Sequence, residues 1–382
     1  MANLRTKCRR LEFSFPLRAE LWYDVTQDHM FRRNLMKQKI AALLSVLPLL
    51  LALSGCLPEG SSPPSAPTGT ESGLTVHFID VGQADCALLQ CDEHAMLIDG
   101  GNVEDSSLVV SYLQRRGVEV LDYVVCTHAH EDHVGGLSGP LNTCTVGQVF
   151  APVTQYSSQA FSNFVKYTEQ QGLKITVPQA DSTFSLGGAQ VTVLGPRREY
   201  EDTNNTSIVL RVDYGETSFL FTGDMESTAE QDLLDAGCEL DATVLKVGHH
   251  GSSTSSSYAF LREVMPQYAV ICAGEDNSYG HPHKEVMSRL YDARVTVYRT
   301  DEQGTVVACS DGAAVTFTTE KDVPPTLGRD AAEEQRYIGN LNSHVFHRED
   351  CSGLPAEQNQ VYFDSRDAAV NAGYTPCGRC DP

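Results

Sequence analysis

Between Thr127 and Gly136 the chain reads T-H-A-H-E-D-H-V-G-G, which places His128, His130, Asp132 and His133 within six positions. Imidazole nitrogens and a carboxylate oxygen at this density suit zinc, or a borderline neighbour such as manganese or iron. The spacing suggests two sets, His128 with His130 for one metal and Asp132 with His133 for a second. Two divalent cations side by side clamp the attacking and leaving oxygens of a bond being hydrolysed. A solvated polar loop is the ordinary alternative, but such a loop has no need of the full six-residue pattern.

Chemistry of this kind needs a rigid base, and the flanking sequence supplies one. Leu121 to Cys126 is apolar and β-branched and reads as a buried strand that delivers the ligand loop. Ahead of it, strands are expected at Leu74 to Asp80, Cys86 to Cys91 and Ala95 to Ile98, with a helix at Ser107 to Arg116 stopped by Gly117. Phe161 to Gln171 has helical spacing. Val191 to Leu194, Ser207 to Tyr214 and Thr217 to Thr222 read as strands, the last two joined as a hairpin around Gly215. After Asp224, helix and strand alternate: Thr228 to Ala236, Ala242 to Val247, Ser256 to Val264, Tyr268 to Ile271, Lys284 to Asp292 and Arg294 to Tyr298. Strands at Thr305 to Cys309 and Ala314 to Thr318 close the body. This order is compatible with an α/β fold of two sheets covered by helices.

The two ends differ from the body. Residues 1–35 hold the single tryptophan, Trp22, and read as an upstream extension before Met36. Residues 36–56 follow a basic head with an apolar run, Ile40 to Leu53, and end in L-S-G-C. A short apolar run of this kind reads as a signal peptide rather than a span. Residues 57–73 are rich in Pro, Ser and Gly and read as a flexible tether to a body at 74–320. Residues 321–336 read as a linker and 337–382 as a separate tail. In the tail, His347-x3-Cys351 and Cys377-x2-Cys380 form the donor set of a closed structural zinc site, a disulfide being the alternative. In so small a unit a metal would supply much of the folding energy. The seven body cysteines, several of them in strand runs, read as small apolar residues.

The H-x-H-x-D-H motif and the Gly135-Gly136 pair after it resemble the signature of the metallo-β-lactamase-fold hydrolases. The surroundings resemble the extracellular nuclease-like domain of ComEC-type competence proteins. The matching pieces are F-I-D-V-G-Q-A-D from Phe78, L-I-D-G-G from Leu97, N-N-T-S from Asn204, F-T-G-D from Phe221, K-V-G-H-H-G-S from Lys246 and S-Y-G-H-P-H from Ser278. The resemblance implies a four-layer αββα sandwich, which the pattern alone does not give. It implies that Asp224 bridges two metals and that His249 completes the second set. His250 would support that set or face the substrate. His281 would be a ligand or a proton donor to the leaving group, and Asp132 would help to hold the attacking water. Asp99 would bond the ligand loop rather than a metal, with Asp80 and Asp85 architectural. No histidine lies between His133 and Asp224, where many superfamily members carry a ligand. His128, His130 and Asp224 would then hold the first metal with weaker help from Asn205. L-S-G-C resembles a lipoprotein processing box, in which Cys56 would carry the lipid. The tail resembles the metal-binding domain of the Ada repair protein, with His347 at the methyl-acceptor cysteine's position. Structural zinc and nucleic-acid contact are implied there, and methyl transfer to sulfur is not.

A formal net charge of −22 argues against a strongly basic nucleic-acid surface. A polyanion would have to be held locally, by two divalent metals (zinc or manganese) and a few basic side chains. The reading that results is a lipid-anchored or secreted metal-dependent phosphodiesterase outside the cell membrane, acting on single-stranded DNA. With no spanning helices of its own, it would rely on DNA-uptake partners for a channel. The alternatives are a phosphodiesterase of the cell envelope, acting on choline phosphate or teichoic acid links, and a non-catalytic DNA-binding lipoprotein. The intact ligand series speaks against the last, and the flanking motifs give β-lactam hydrolysis little support.

Overall fold

The computed structural model describes residues 73–327, 337–349, 351–363, 366–380 and 382. The expected extension, signal peptide, Cys56 and nearly all of the tether lie outside these residues, as does most of the linker.

Nineteen strands are formed among the described residues. The first six are β1 (Leu74–Phe78), β2 (Ala87–Cys91), β3 (His94–Ile98), β4 (Val120–Val125), β5 (Thr145–Phe150) and β6 (Ile175–Thr176). Then come β7 (Thr183–Leu186), β8 (Ala189–Gly195), β9 (Val209–Tyr214), β10 (Thr217–Phe221), β11 (Val244–Lys246), β12 (Tyr268–Ile271) and β13 (Thr296–Arg299). β14 (Val306–Ser310) and β15 (Val315–Thr319) complete the body. β16 (Tyr337–Asn340), β17 (Val345–Arg348), β18 (Gln360–Phe363) and β19 (Thr375–Pro376) belong to the tail. The first sheet runs β15-β14-β1-β2-β3-β4-β5-β6 and the second β13-β12-β11-β10-β9-β8-β7.

Alternation along the strands explains why the sheets stack. Val76 and Phe78 of β1, Leu89 of β2, Met96 of β3, Val191 and Val193 of β8, and Phe219 and Phe221 of β10 share one core between the sheets. Their strand neighbours face the other way. Leu88, Leu97 and Val124 pack on the helices Ser106–Arg115 and Gln159–Gln170. Leu220 and Leu245 pack on the helices Ser227–Asp235, Tyr258–Val264 and Lys284–Asp292. Three cores of this kind make four layers, αββα, as the resemblance implied.

Two glycine pairs lock the ligand loop to the first sheet. A Cβ at Gly136 would collide with the carbonyl oxygen of Gly100, and one at Gly135 would come within 2.5 Å of the Val103 amide nitrogen. The backbones therefore touch directly, with Gly100 N–H donating to the His133 carbonyl at 2.8 Å and Gly136 N–H to that of Gly101 at 3.0 Å. This is the physical reason for Gly-Gly in both L-I-D-G-G and H-V-G-G.

The tail forms its own sheet, β18-β16-β17-β19, over a core of Tyr337, Phe346, Ala369 and Tyr374. It rests on the second sheet's helices. The Tyr337 hydroxyl donates to Asp292, Arg348 lies 3.5 Å from Glu285, and the Arg366 guanidinium stacks 3.7 Å from the centre of the Tyr258 ring.

Gly136→Ala is expected to cost about 3 kcal/mol of stability through backbone overpacking. Urea denaturation checks this, and a loss below about 1 kcal/mol would count against the close approach.

Candidate metal centre

The candidate residues gather at the carboxyl ends of strands. Asp99 follows β3 and the H-x-H-x-D-H loop follows β4. Asp224 follows β10, His249 and His250 follow β11, and His281 lies on the loop after β12. The first two come from one sheet and the rest from the other, so the site forms where the sandwich closes.

Asp132, His133, Asp224 and His250 offer ligand atoms that all lie within 4.8 Å of one another. His133 Nε2 is 3.2 Å from Asp224 Oδ1, and His250 Nε2 is 3.3 Å from Asp132 Oδ2 and 3.5 Å from Asp224 Oδ2. Ligands at zinc bond lengths stand roughly 3.3 Å apart around one tetrahedral ion. His133 Nε2, His250 Nε2 and Asp224 Oδ1 are buried atoms without a hydrogen-bond partner. Leaving such atoms unpaired costs about 1–3 kcal/mol each, a cost that a cation between them removes.

Hydrogen bonds behind the rings fix which nitrogen faces inward. His250 Nδ1 donates to the Cys272 carbonyl at 2.9 Å, and His133 Nδ1 donates to Asp99 Oδ2 at 2.9 Å. Both Nε2 atoms are thus the ones offered to a metal. Asp99 also accepts the Thr127 N–H and O–H, each at 2.7 Å. The Thr127 oxygen can then accept from His128 Nδ1 at 3.3 Å, which turns His128 Nε2 inward. That atom is 3.0 Å from His130 Nδ1 and 3.9 Å from Asp224 Oδ2. His128 and His130 therefore sit as a second set beside Asp224, and Asp99 bonds the ligand loop as expected.

Three placements differ from expectation. His250, not His249, completes the tight cluster. The cause is local backbone: His249 and His250 have φ of 50° and 53°, two successive non-glycine residues in the left-handed region, costing about 1–2 kcal/mol each. This turns His250 into the interior, 2% exposed, and His249 towards the rim. There His249 Nδ1 meets Glu226 at 3.3 Å, while its Nε2 is 3.7 Å from Asp224 Oδ2. Asn205 is occupied otherwise than expected, since its Oδ1 accepts the Glu226 and Ala229 N–H groups at 3.2 and 3.3 Å. It positions the segment after Asp224. Asp85 is more than architectural, pairing at 2.5 Å with Lys246 and lying 3.3 Å from His250 Nδ1.

Lys246 was not singled out from the sequence. The available signal was a lysine at the end of a buried strand, which requires a partner. Burial would lower its pKa, but Asp85 outweighs burial and holds it charged.

His281, 9% exposed, has Nδ1 3.2 Å from Gln83 Nε2. Gln83 Oε1 accepts the Gly274 N–H at 3.1 Å, so its amide nitrogen must donate to the ring. His281 is therefore the Nε2–H tautomer. Burial, then His250, His283 and His249, lower its pKa to about 4. His283 sits at the start of the helix Lys284–Asp292.

In the tail, His347, Cys351, Cys377 and Cys380 form a second cluster within the same 4.8 Å limit. The Gly353 and Arg379 N–H groups donate to the sulfurs of Cys351 and Cys377 at 3.4 Å. One His and three Cys in a closed site, with backbone donors on sulfur, fit a structural zinc. All ten described cysteines are free of disulfides.

Residues 79–275 match the Metallo-beta-lactamase superfamily and residues 326–382 the metal binding domain of Ada. The chain belongs to the metallo-beta-lactamase superfamily, a fold that implies a dinuclear metal centre, and it carries an Ada-type zinc-binding tail. ComE operon protein 3 of Bacillus subtilis is 30% identical over 60% of this chain and 32% of its own length. Competence protein ComA of Neisseria gonorrhoeae is 32% identical over 69% and 37%. Recombination protein 2 of Haemophilus influenzae is 31% identical over 60% and 28%. The chain spans about a third of the length of these relatives. The resemblance of the body to the competence-type metallo-β-lactamase-fold proteins and of the tail to the Ada domain is borne out. Among the described residues, no helix is long and apolar enough to cross a membrane.

Lys246→Met would take the ammonium from the buried Asp85 carboxylate and leave it only the His250 ring, at a cost of about 3 kcal/mol. Adding Asp85→Asn should recover much of that loss in urea denaturation, and no recovery would show that the pair is not what Lys246 serves.

Metal-free, His133 and His250 are pulled down by burial but held well above the ordinary histidine value by Asp224 and the carboxylates around them. A raised folded-state pKa stabilises below the unfolded value of about 6.5, and that stability is lost as pH rises through the raised value. Metal binding needs both rings deprotonated. As pH rises above about 6.5, the metal-free protein should lose thermal stability while its zinc affinity rises with proton release. Calorimetry in buffers of different ionisation enthalpy measures both, and a zinc affinity flat in pH would contradict the assignment.

Proposed function

We propose that this chain is a metal-dependent phosphodiesterase that cuts single-stranded DNA outside the cell membrane, tethered there through Cys56. The observation that carries the reading is the pair of histidine sets sharing Asp224, with orphaned buried ligand atoms turned towards one another. When bound, two divalent cations would supply a nucleophilic water near neutral pH and offset charge on a phosphate oxygen.

The protein's own groups then have distinct tasks. Asp132 is the partly exposed carboxylate of the cluster, its side chain 32% exposed. Burial would raise its pKa, but His133 and His250 outweigh this and hold it well below the usual range. So acidic a group orients the attacking water by accepting its hydrogen bond and is a poor proton store. His281, neutral and carrying Nε2–H, donates a hydrogen bond to the leaving or equatorial oxygen. His133, His250 and Asp224, with Asp132 beside them, would hold one cation, and His128, His130 and Asp224 the other, with His249 in reach of the shared carboxylate. The similarity to Competence protein ComA and Recombination protein 2 supports DNA as substrate and DNA-uptake proteins as partners.

The net charge of −22 favours a second reading, a small phosphodiester of the cell envelope in place of a polyanion. Full-length protein reconstituted with zinc or manganese is expected to cleave labelled single-stranded DNA. Asp224→Ala is expected to lower the rate at least about 100-fold. DNA left intact by a protein shown to bind two metals would end the nuclease reading and turn the search to envelope phosphodiesters.

A further inference from the structure

Seven aromatic rings form a continuous chain across the site. Tyr156 meets His130 at 6.4 Å between centroids, and His130 meets His128 at 4.8 Å. His128 meets His133 at 4.1 Å, His133 meets His250 at 5.4 Å, and His250 meets His281 at 6.3 Å. His281 stacks on Tyr279 at 5.6 Å with an interplanar angle of 20°. The five histidines inside the chain belong to the metal centre. The two tyrosines at its ends do not, and both are exposed, Tyr156 at 37% and Tyr279 at 67%.

Neither tyrosine sits on a loose loop tip. Tyr156 packs edge-on against Phe161, which is 1% exposed, at 6.1 Å. The Tyr279 turn is held by Asn277, whose amide nitrogen donates to the Gly274 and His281 carbonyls at 2.9 and 2.6 Å. Asn277 Oδ1 accepts the His281 N–H at 3.0 Å. The Tyr279 carbonyl accepts from His283 Nε2 at 3.2 Å. Two exposed rings are thus presented by fixed backbone, one at each end of the candidate catalytic row.

We propose that Tyr156 and Tyr279 are stacking platforms for unpaired bases of a single-stranded nucleic acid, one on each side of the bond held at the metal centre. This deepens the phosphodiesterase reading and rests on it. Proteins that hold single strands without reading sequence combine local positive charge with aromatic faces, because every base has a π-face. Here the chain carries a net charge of −22, which does not favour a broad cationic surface around the metal centre. Stacking supplies affinity that does not depend on further cations. The separation of the rings also selects among ligands. A quaternary ammonium such as choline is held where several rings converge on one point. These two rings are linked through five histidine rings, and among the described residues no ring contact joins them directly.

The test uses the full-length protein loaded with zinc or manganese and three probes: a mixed-sequence DNA strand, the same length of abasic strand, and p-nitrophenyl phosphorylcholine. Affinity is read by fluorescence anisotropy and turnover by gel and absorbance. Tyr279→Ala and Tyr156→Ala should each raise Kd and KM for the base-bearing strand about tenfold, with kcat moving little. The abasic strand should show a much smaller change. Tyr279→Phe should keep the affinity of the unmodified protein, since the ring face and not the hydroxyl makes the contact. Equal losses on the two strands, a fall in kcat in place of the rise in KM, or loss of phosphorylcholine turnover larger than the loss on DNA would each overturn the proposal. The outcomes separate from those of the parent reading. Unmodified protein that binds the strand through the tyrosines without cutting it would sustain the platforms and defeat the nuclease. Cutting that is indifferent to both tyrosines would do the reverse.

Discussion

Asp85, Asp99 and Asp224 are each no more than 5% exposed at the same end of the sandwich, and the need to balance that charge shapes everything around them. Carboxylates out of water are tolerated only when paired or bonded to cations. Lys246 neutralises Asp85 across the gap between the sheets, since Asp85 follows β1 and Lys246 ends β11. His133, from the first sheet, faces Asp224, from the second. The charges that build the site are therefore also the cross-ties that close the sandwich above its apolar core. Without metal, burial lowers the pKa of His133 and His250, but Asp224 and the carboxylates around it outweigh burial and hold both rings above their ordinary value.

The strained pair His249–His250 shows how a small local distortion is kept. Gly248 and Gly251 flank it, and the Ser252 N–H returns to the His249 carbonyl at 2.7 Å. Arg289, on the helix Lys284–Asp292, donates to the carbonyls of Ser255 and Ser256 at 2.9 and 3.3 Å and so pins the segment that leaves the turn. The same helix starts just after His281 and carries Glu285 and Asp292, which face Arg348 and Tyr337 of the tail. The zinc-binding tail thus rests on the element that supports both the His250 turn and the His281 loop. Its folding and the order of the metal centre share one support.

How much of this was legible follows from what each signal depends on. Long apolar runs with regular period gave most body strands and helices to within two or three residues, because burial alone writes that pattern. β5, T-V-G-Q-V-F, was not expected, since Gly147 breaks its run and its burial comes from pairing with β4 and β6. The two-residue β6 has no period to read. The metal loop was plain from ligand density. The partition between His249 and His250 was not, because adjacent residues in one motif are separated only by a left-handed turn that no side-chain pattern announces. Asn205 was legible as present near the site but not as a backbone acceptor, and Lys246 became meaningful only with Asp85 opposite it. Four layers emerged once alternate residues of one strand could be assigned to different cores.

Charge decides when such a centre can meet a phosphate. Metal-free, Asp85, Asp99, Asp132 and Asp224 bring four negative charges against the one of Lys246, and the protonated histidines only partly offset the difference. A phosphate is repelled there, on a chain already at −22. Two divalent cations would add four positive charges while the histidines become neutral, which, with Glu226 beside His249 counted, offsets the carboxylates. At physiological salt the field of the cations is screened beyond about 8 Å, so their attraction is confined to the phosphate at the reaction point. The same metal loading that would supply the water's reactivity would thus also remove the repulsion. Aromatic faces can hold the rest of a strand without further cations, and the exposed rings Tyr156 and Tyr279 lie at the two ends of the histidine row.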